Sequence, residues 1–155
     1  FETLNKGRLR FDDLPVVRRF GSCDLIIVNE SFPTNLLSSC GYMRRDTSGF
    51  IERACRENKD APRILVGHFP LIEKHPMLRF RHRLWGQKKV LRLLREGALD
   101  LSLCGHVHKP GARLDGRGRG EICSGSVTRN GVIAEIDYDE KNDVFDCRSV
   151  DLGAV

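Results

Sequence analysis

Two short stretches constrain this chain more than any other feature: Val66-Gly67-His68-Phe69-Pro70 and Leu103-Cys104-Gly105-His106-Val107-His108-Lys109-Pro110. Each follows a short apolar run of strand character, Ile64, Leu65 and Val66 in the first case and Leu99, Leu101 and Leu103 in the second. The imidazoles are therefore expected at the mouths of buried strands, where an open α/β sheet presents its chemistry. Two histidines flanking one residue just after a glycine, with a third at the end of another apolar run, read as a metal-ligand set and not as a helix face. Neutral imidazole is a good ligand for Mn, Fe, Zn or Ni, and three rings converging from separate strand ends leave room for water on the ion. Gly67 and Gly105 are expected to let the backbone turn sharply and to keep side-chain bulk away from the ion.

The rest of the chain supplies a frame for those ends. The first twenty residues read as loop plus one short amphipathic piece. A strand from Asp24 through Val28 ends at Asn29-Glu30-Ser31. Asp46, Thr47 or Ser48 caps a helix whose apolar residues Phe50, Ile51, Ala54 and Cys55 recur at helical spacing, and Asn58 to Pro62 ends it. The strand from Arg63 to Gly67 leads into a long polar loop, Leu71 to Gly86, which reads as site-lining and carries His75, Arg79, Arg81, His82 and Arg83. Gln87 to Glu96 is predicted helical, with Val90, Leu91 and Leu94 on one face and Gly97 as its C-terminal cap. Leu99 to Cys104 is a strand, Gly111 to Gly120 a flexible loop, and Glu121 to Ser124, Val132 to Tyr138 and Val144 to Val150 form antiparallel β-structure with Asp143 near a turn. The fold class expected is α/β, βαβαβ followed by antiparallel strands, in a single domain spanning residues 1–155.

An H-x-P after a buried strand, then a helix, another buried strand and G-H-x-H, resembles the second half of the calcineurin-like metallophosphoesterase family. The resemblance runs from about Asp24 to Val127. It implies half of a β-sandwich flanked by helices and a dinuclear centre of two divalent ions, Mn, Fe, Zn or Ni, that hydrolyses a phosphomonoester or phosphodiester. Under it, His68 and His106 bind one metal and His108 the other. His75, Arg79, Arg81 and Arg83 are placed to meet substrate phosphate, since guanidinium forks match phosphate oxygens; a merely solvated basic loop fits the same residues. The family also carries D-x-H, G-D-x-x-D and G-N-H-[DE] earlier in the chain, and none of the three occurs here. The chain is therefore expected to be the C-terminal portion of such a domain, with the missing N-terminal half as its partner. Ser124-Gly125-Ser126 resembles the G-S turn that follows the metal motif in the family and is given no catalytic role.

Composition narrows the alternatives without choosing among them. A net charge of +5 suits a phosphorylated small-molecule substrate and suits many soluble proteins equally. The six cysteines are dispersed with no C-x-x-C pair, which reads as reduced thiols in a cytoplasmic setting. No apolar run approaches the roughly 18–20 residues that a membrane helix needs. Arg113, Arg117 and Arg119 stand among glycines with no interleaved aromatics, so nucleic-acid binding by base stacking is not indicated. Two rivals stay open: a degenerate, non-catalytic metal-binding or scaffold domain of the same fold, and a structural zinc held by Cys104, His106 and His108.

Overall fold

The computed structural model describes residues 11–31, 33, 39–57, 59–72 and 83–153. A 3-10 turn at Phe11–Asp13 precedes β1 (Val16–Phe20) and β2 (Cys23–Ile27). Then come β3 (Gly41–Tyr42), α1 (Arg45–Glu57), β4 (Arg63–Val66), β5 (Leu84–Trp85), α2 (Lys88–Arg95), β6 (Leu101–Cys104), β7 (Pro110–Leu114) and β8 (Gly120–Ser124). A short helix, α3 (Val127–Asn130), and a hairpin of β9 (Val132–Asp139) and β10 (Val144–Asp151) complete the chain's described elements.

The main sheet has six strands in the order β1-β2-β4-β6-β8-β7. Its four inner strands run parallel, and the edge strands β1 and β7 are antiparallel to their neighbours. The crossovers β2-α1-β4 and β4-α2-β6 both step the same way across the sheet. Right-handed connection then places both helices on one face. There Ile26, Val28 and Leu65 pack with Ile51 and Cys55 of α1 and with Val90, Leu93 and Leu94 of α2. The opposite face gathers Cys23, Ile64, Leu101 and Ile122 against Phe145, Ala134, Ile136 and Tyr138 of the hairpin. Three layers result, helices, sheet and hairpin, and the inner strands are apolar on both faces for that reason.

Several boundaries depart from the sequence reading. The first twenty residues contain a strand, β1, paired to β2 from Val16 against Ile27 to Phe20 against Cys23; its exposed Arg18, Arg19 and Phe20 gave it no buried alternation. Helix α1 begins at Arg45, so Asp46, Thr47 and Ser48 lie within its first turn instead of capping it, and the Ser48 hydroxyl donates back to the Arg44 carbonyl at 2.9 Å. The stretch read as a glycine-rich loop opens as strand β7, whose residues 111–114 pair with β8, and only residues 115–119 form the turn between them. Strand β8 itself runs parallel to β6, so only the β9–β10 hairpin is wholly antiparallel. The arginines of that stretch are held in place: Arg113 donates to the Ile72 carbonyl and lies 3.7 Å from Glu121, and Arg119 pairs with Asp143 at 2.5 Å. Within the long loop, Leu84 and Trp85 pair with Gly41 and Tyr42 as a two-stranded parallel ribbon.

Candidate metal centre

The C-terminal ends of β2, β4 and β6 lie side by side, and each is continued by a segment that carries chemistry. Strand β4 leads through Gly67 to His68, and β6 leads through Gly105 to His106 and His108. The two segments are stitched together by backbone bonds from Gly67 N–H to the Leu103 carbonyl at 3.1 Å and from Gly105 N–H to the His68 carbonyl at 3.0 Å. The sheet thereby delivers the first two imidazoles to one point. His68 Nε2 and His106 Nδ1 are 3.1 Å apart, with the rings edge to face at 75°.

That separation tests the fit of an ion. Two nitrogens bound to one metal at about 2.0–2.1 Å stand about 2.9–3.4 Å apart over the usual range of angles. The His68 and His106 pair falls within it. Burial, and then the neighbouring His108, lower the His68 pKa, which favours the neutral ring that a metal requires. Phe69 closes the inner side: its ring centroid is 4.2 Å from that of His106 and 5.1 Å from that of His68. Among the described residues, no group of three or more histidine, cysteine, aspartate or glutamate side chains is placed to hold an ion. The residues present thus fit as part of a metal site, a pair of nitrogen donors with His108 close enough to act on His68 electrostatically.

The turn geometry corrects the role given to the glycines. Neither Gly67 nor Gly105 has a positive φ; His106 and His108 do, at 61° and 54°. Left-handed backbone at a residue with a side chain costs about 1–3 kcal/mol and gathers at functional sites. Gly67 is needed for space: a Cβ there would lie 2.8 Å from both carboxylate oxygens of Glu30. Cys104 is a buried strand residue at 5% exposure beside Cys123 of β8, and none of the described cysteines is in a disulfide.

Some of the residues that shape the site carry no local signal. Glu30, just beyond β2, accepts the amide protons of His68 and Phe69, and burial pushes its carboxyl up to about 7 against the pull of those two donors. Asn130 of α3 donates to the His108 carbonyl at 3.1 Å and accepts the Ser126 amide at 2.9 Å, so the short helix braces the second histidine loop. Of the residues expected to meet substrate, His75, Arg79 and Arg81 lie outside the described residues, as does His82. Arg83 is described: its guanidinium carbon lies 4.3 Å from the Trp85 ring centroid, a cation–π stack at the edge ribbon.

The family model described as calcineurin-like phosphoesterase matches residues 3–110. None of the curated proteins matches the chain. None of the described helices is long and apolar enough to cross a membrane.

Proposed function

The chain belongs to the calcineurin-like phosphoesterase family, and on that premise we propose that it takes part in metal-dependent hydrolysis of a phosphomonoester or phosphodiester. In this reading His68, His106 and His108 are its contribution to a centre of two divalent ions, of Mn, Fe, Zn or Ni type. The observation that carries the reading is the 3.1 Å approach of His68 Nε2 to His106 Nδ1 at adjacent strand ends. When bound, such ions supply Lewis acidity toward the phosphoryl oxygens and an activated water.

The chain's own residues hold and aim the donors. Partial desolvation, and then the neighbouring His108, lower the His68 pKa, which favours the neutral ring. His106 and His108 point from a left-handed turn fixed by the Asn130 brace. Phe69 excludes water from the inner side of the ring pair, which strengthens electrostatic interactions there. Arg83, with His75, Arg79 and Arg81 of the same loop, is proposed to act on substrate phosphate.

Three imidazoles carry no negative charge, so two divalent ions need carboxylates in addition. We assign these to a complementary N-terminal half of the domain, with residues 1–155 as the C-terminal portion. Support comes from the hairpin face of the sheet, where Ile27, Val66 and Leu103 stand in register across β2, β4 and β6 and remain only half-buried. An apolar row of this kind, directly beneath the histidines, suits a further packed layer.

The test is kcat/KM on a chromogenic monoester and diester, with metal content, in the natural protein that contains residues 1–155. His68→Ala and His108→Ala should each lower kcat/KM by about 100-fold or more on both substrates, as loss of a group acting on transition-state charge does. Arg81→Ala should change the ratio between the substrates. Near-normal turnover and metal content in His108→Ala would overturn the ligand assignment and favour a non-catalytic scaffold.

A further inference from the structure

We propose that Glu30 and Glu121 are positioning residues, two buried carboxylates that grip the backbone on either side of Pro70 and so fix the His68 ring against His106. The proposal rests on the metal-centre reading for its functional consequence, while the grip itself stands on the hydrogen bonds. Glu30 Oε2 accepts the amide protons of His68 and Phe69, each at 2.8 Å. Glu121 Oε2 accepts that of Leu71 at 2.5 Å, and its Oε1 that of Ile72 at 3.0 Å. Pro70 has no N–H. Every backbone donor from His68 to Ile72 therefore ends on one of two carboxylates.

Their burial makes this arrangement costly unless it serves the segment. Glu30 is 2% and Glu121 4% exposed, and glutamate is seldom fully buried without partners. A carboxylate offers only acceptors, so it can take several donors at once from a loop that lacks strand or helix partners, and such charge-assisted bonds are the strong ones. Arg113 Nη1 lies 3.7 Å from Glu121 Oε1, while Glu30 Oε1 has no hydrogen-bond partner. Glu30 comes from the end of β2 and Glu121 from β8, the strands that flank β4 and β6 on either side. The segment is thus tied to the sheet from both directions. Gly67 belongs to the same device, because the Glu30 carboxylate occupies the space a side chain at 67 would take.

The two carboxylates differ in a way that a generic buried charge would not. Glu30 uses one oxygen for both amides, so a glutamine can replace it with its carboxamide oxygen. Glu121 uses both oxygens, Oε1 taking the Ile72 amide at 3.0 Å and Oε2 taking that of Leu71 and, at 3.3 Å, that of Ile72 as well, so a glutamine in either orientation turns an N–H₂ toward a backbone donor. The experiment is amide hydrogen exchange and Zn²⁺ titration calorimetry on the natural protein that contains residues 1–155, carrying Glu30→Gln, Glu121→Gln or Glu30→Ala. Expected is near wild-type behaviour for Glu30→Gln. For Glu121→Gln, exchange at Leu71 or Ile72 should quicken relative to Leu65 in β4, and Zn²⁺ affinity should fall about tenfold, as when a group orienting a metal ligand is lost. Glu30→Ala should do the same at His68 and Phe69. If Glu30→Ala fails to fold, the contrast between the two glutamine variants decides. The proposal is overturned if Glu30→Gln is as damaging as Glu121→Gln, or if exchange from 68 to 72 merely follows Leu65 in the variants. Absence of Zn²⁺ binding by the wild type would count against the metal centre, and the exchange measurement would then judge the grip alone.

Discussion

His106 and His108 hold left-handed backbone with no glycine to ease it, so the fold carries strain where these two imidazoles sit. Replacing His108 by glycine should relieve it and raise the unfolding free energy by about 1 kcal/mol, since left-handed geometry costs a side-chain residue about 1–2 kcal/mol. Urea denaturation checks this; a loss of stability would mean that the ring contributes more packing than the backbone costs. Gly67→Ala should act in the opposite sense, because its Cβ would press on the Glu30 carboxylate. Overpacking of that kind costs about 1–3 kcal/mol, and an unchanged denaturation midpoint would refute the account of Gly67. At this scale the histidines were legible because their spacing is local. Glu30 and Glu121 were not, since their bonds to the His68 segment span 38 to 50 residues, and no local pattern encodes such a distance.

Among the elements, strands β2, β4 and β6 and helices α1 and α2 could be read because burial on one or two faces imposes apolar runs or a 3.6-residue period. The edges could not. Strand β1 presents Arg18, Arg19 and Phe20 to solvent, and β7 reads Pro-Gly-Ala-Arg-Leu with four of its five residues exposed, so neither shows a buried face. The opposite end of the sheet from the histidines is fastened by charge. Asp100, 2% exposed, accepts the Arg63 backbone amide at 2.8 Å and its Nε at 3.1 Å, and lies 3.4 Å from Arg119 Nε. Breaking a buried pair by removing one partner costs about 3–5 kcal/mol. Asp100→Ala should therefore lower the unfolding free energy by that amount in urea titration; a change below about 1 kcal/mol, the level of an exposed pair, would place this network with surface salt bridges.

For the whole molecule, the parallel sheet with helices on one face and a hairpin on the other brings strand ends together, and the family match agrees with that architecture. The sandwich was legible only in part because the packing of Val66 and Leu103 against the hairpin cluster joins residues distant in sequence. Residues 1–155 by themselves should show little or no phosphoesterase turnover and weak metal affinity, because neutral imidazoles do not balance two divalent charges. Steady hydrolysis of a chromogenic diester with added manganese, abolished by a chelator, would contradict this.

Sharing of one ion by His68 and His106 is tested most directly by a Zn²⁺ titration of ¹⁵N-labelled residues 1–155 followed through the imidazole nitrogens. His68 Nε2 and His106 Nδ1 should respond together, at the same ion concentration and before His75 and His82, because a 3.1 Å separation suits two nitrogens that share one ion. Independent responses of the two rings, or a first response from His75 or His82, would contradict it.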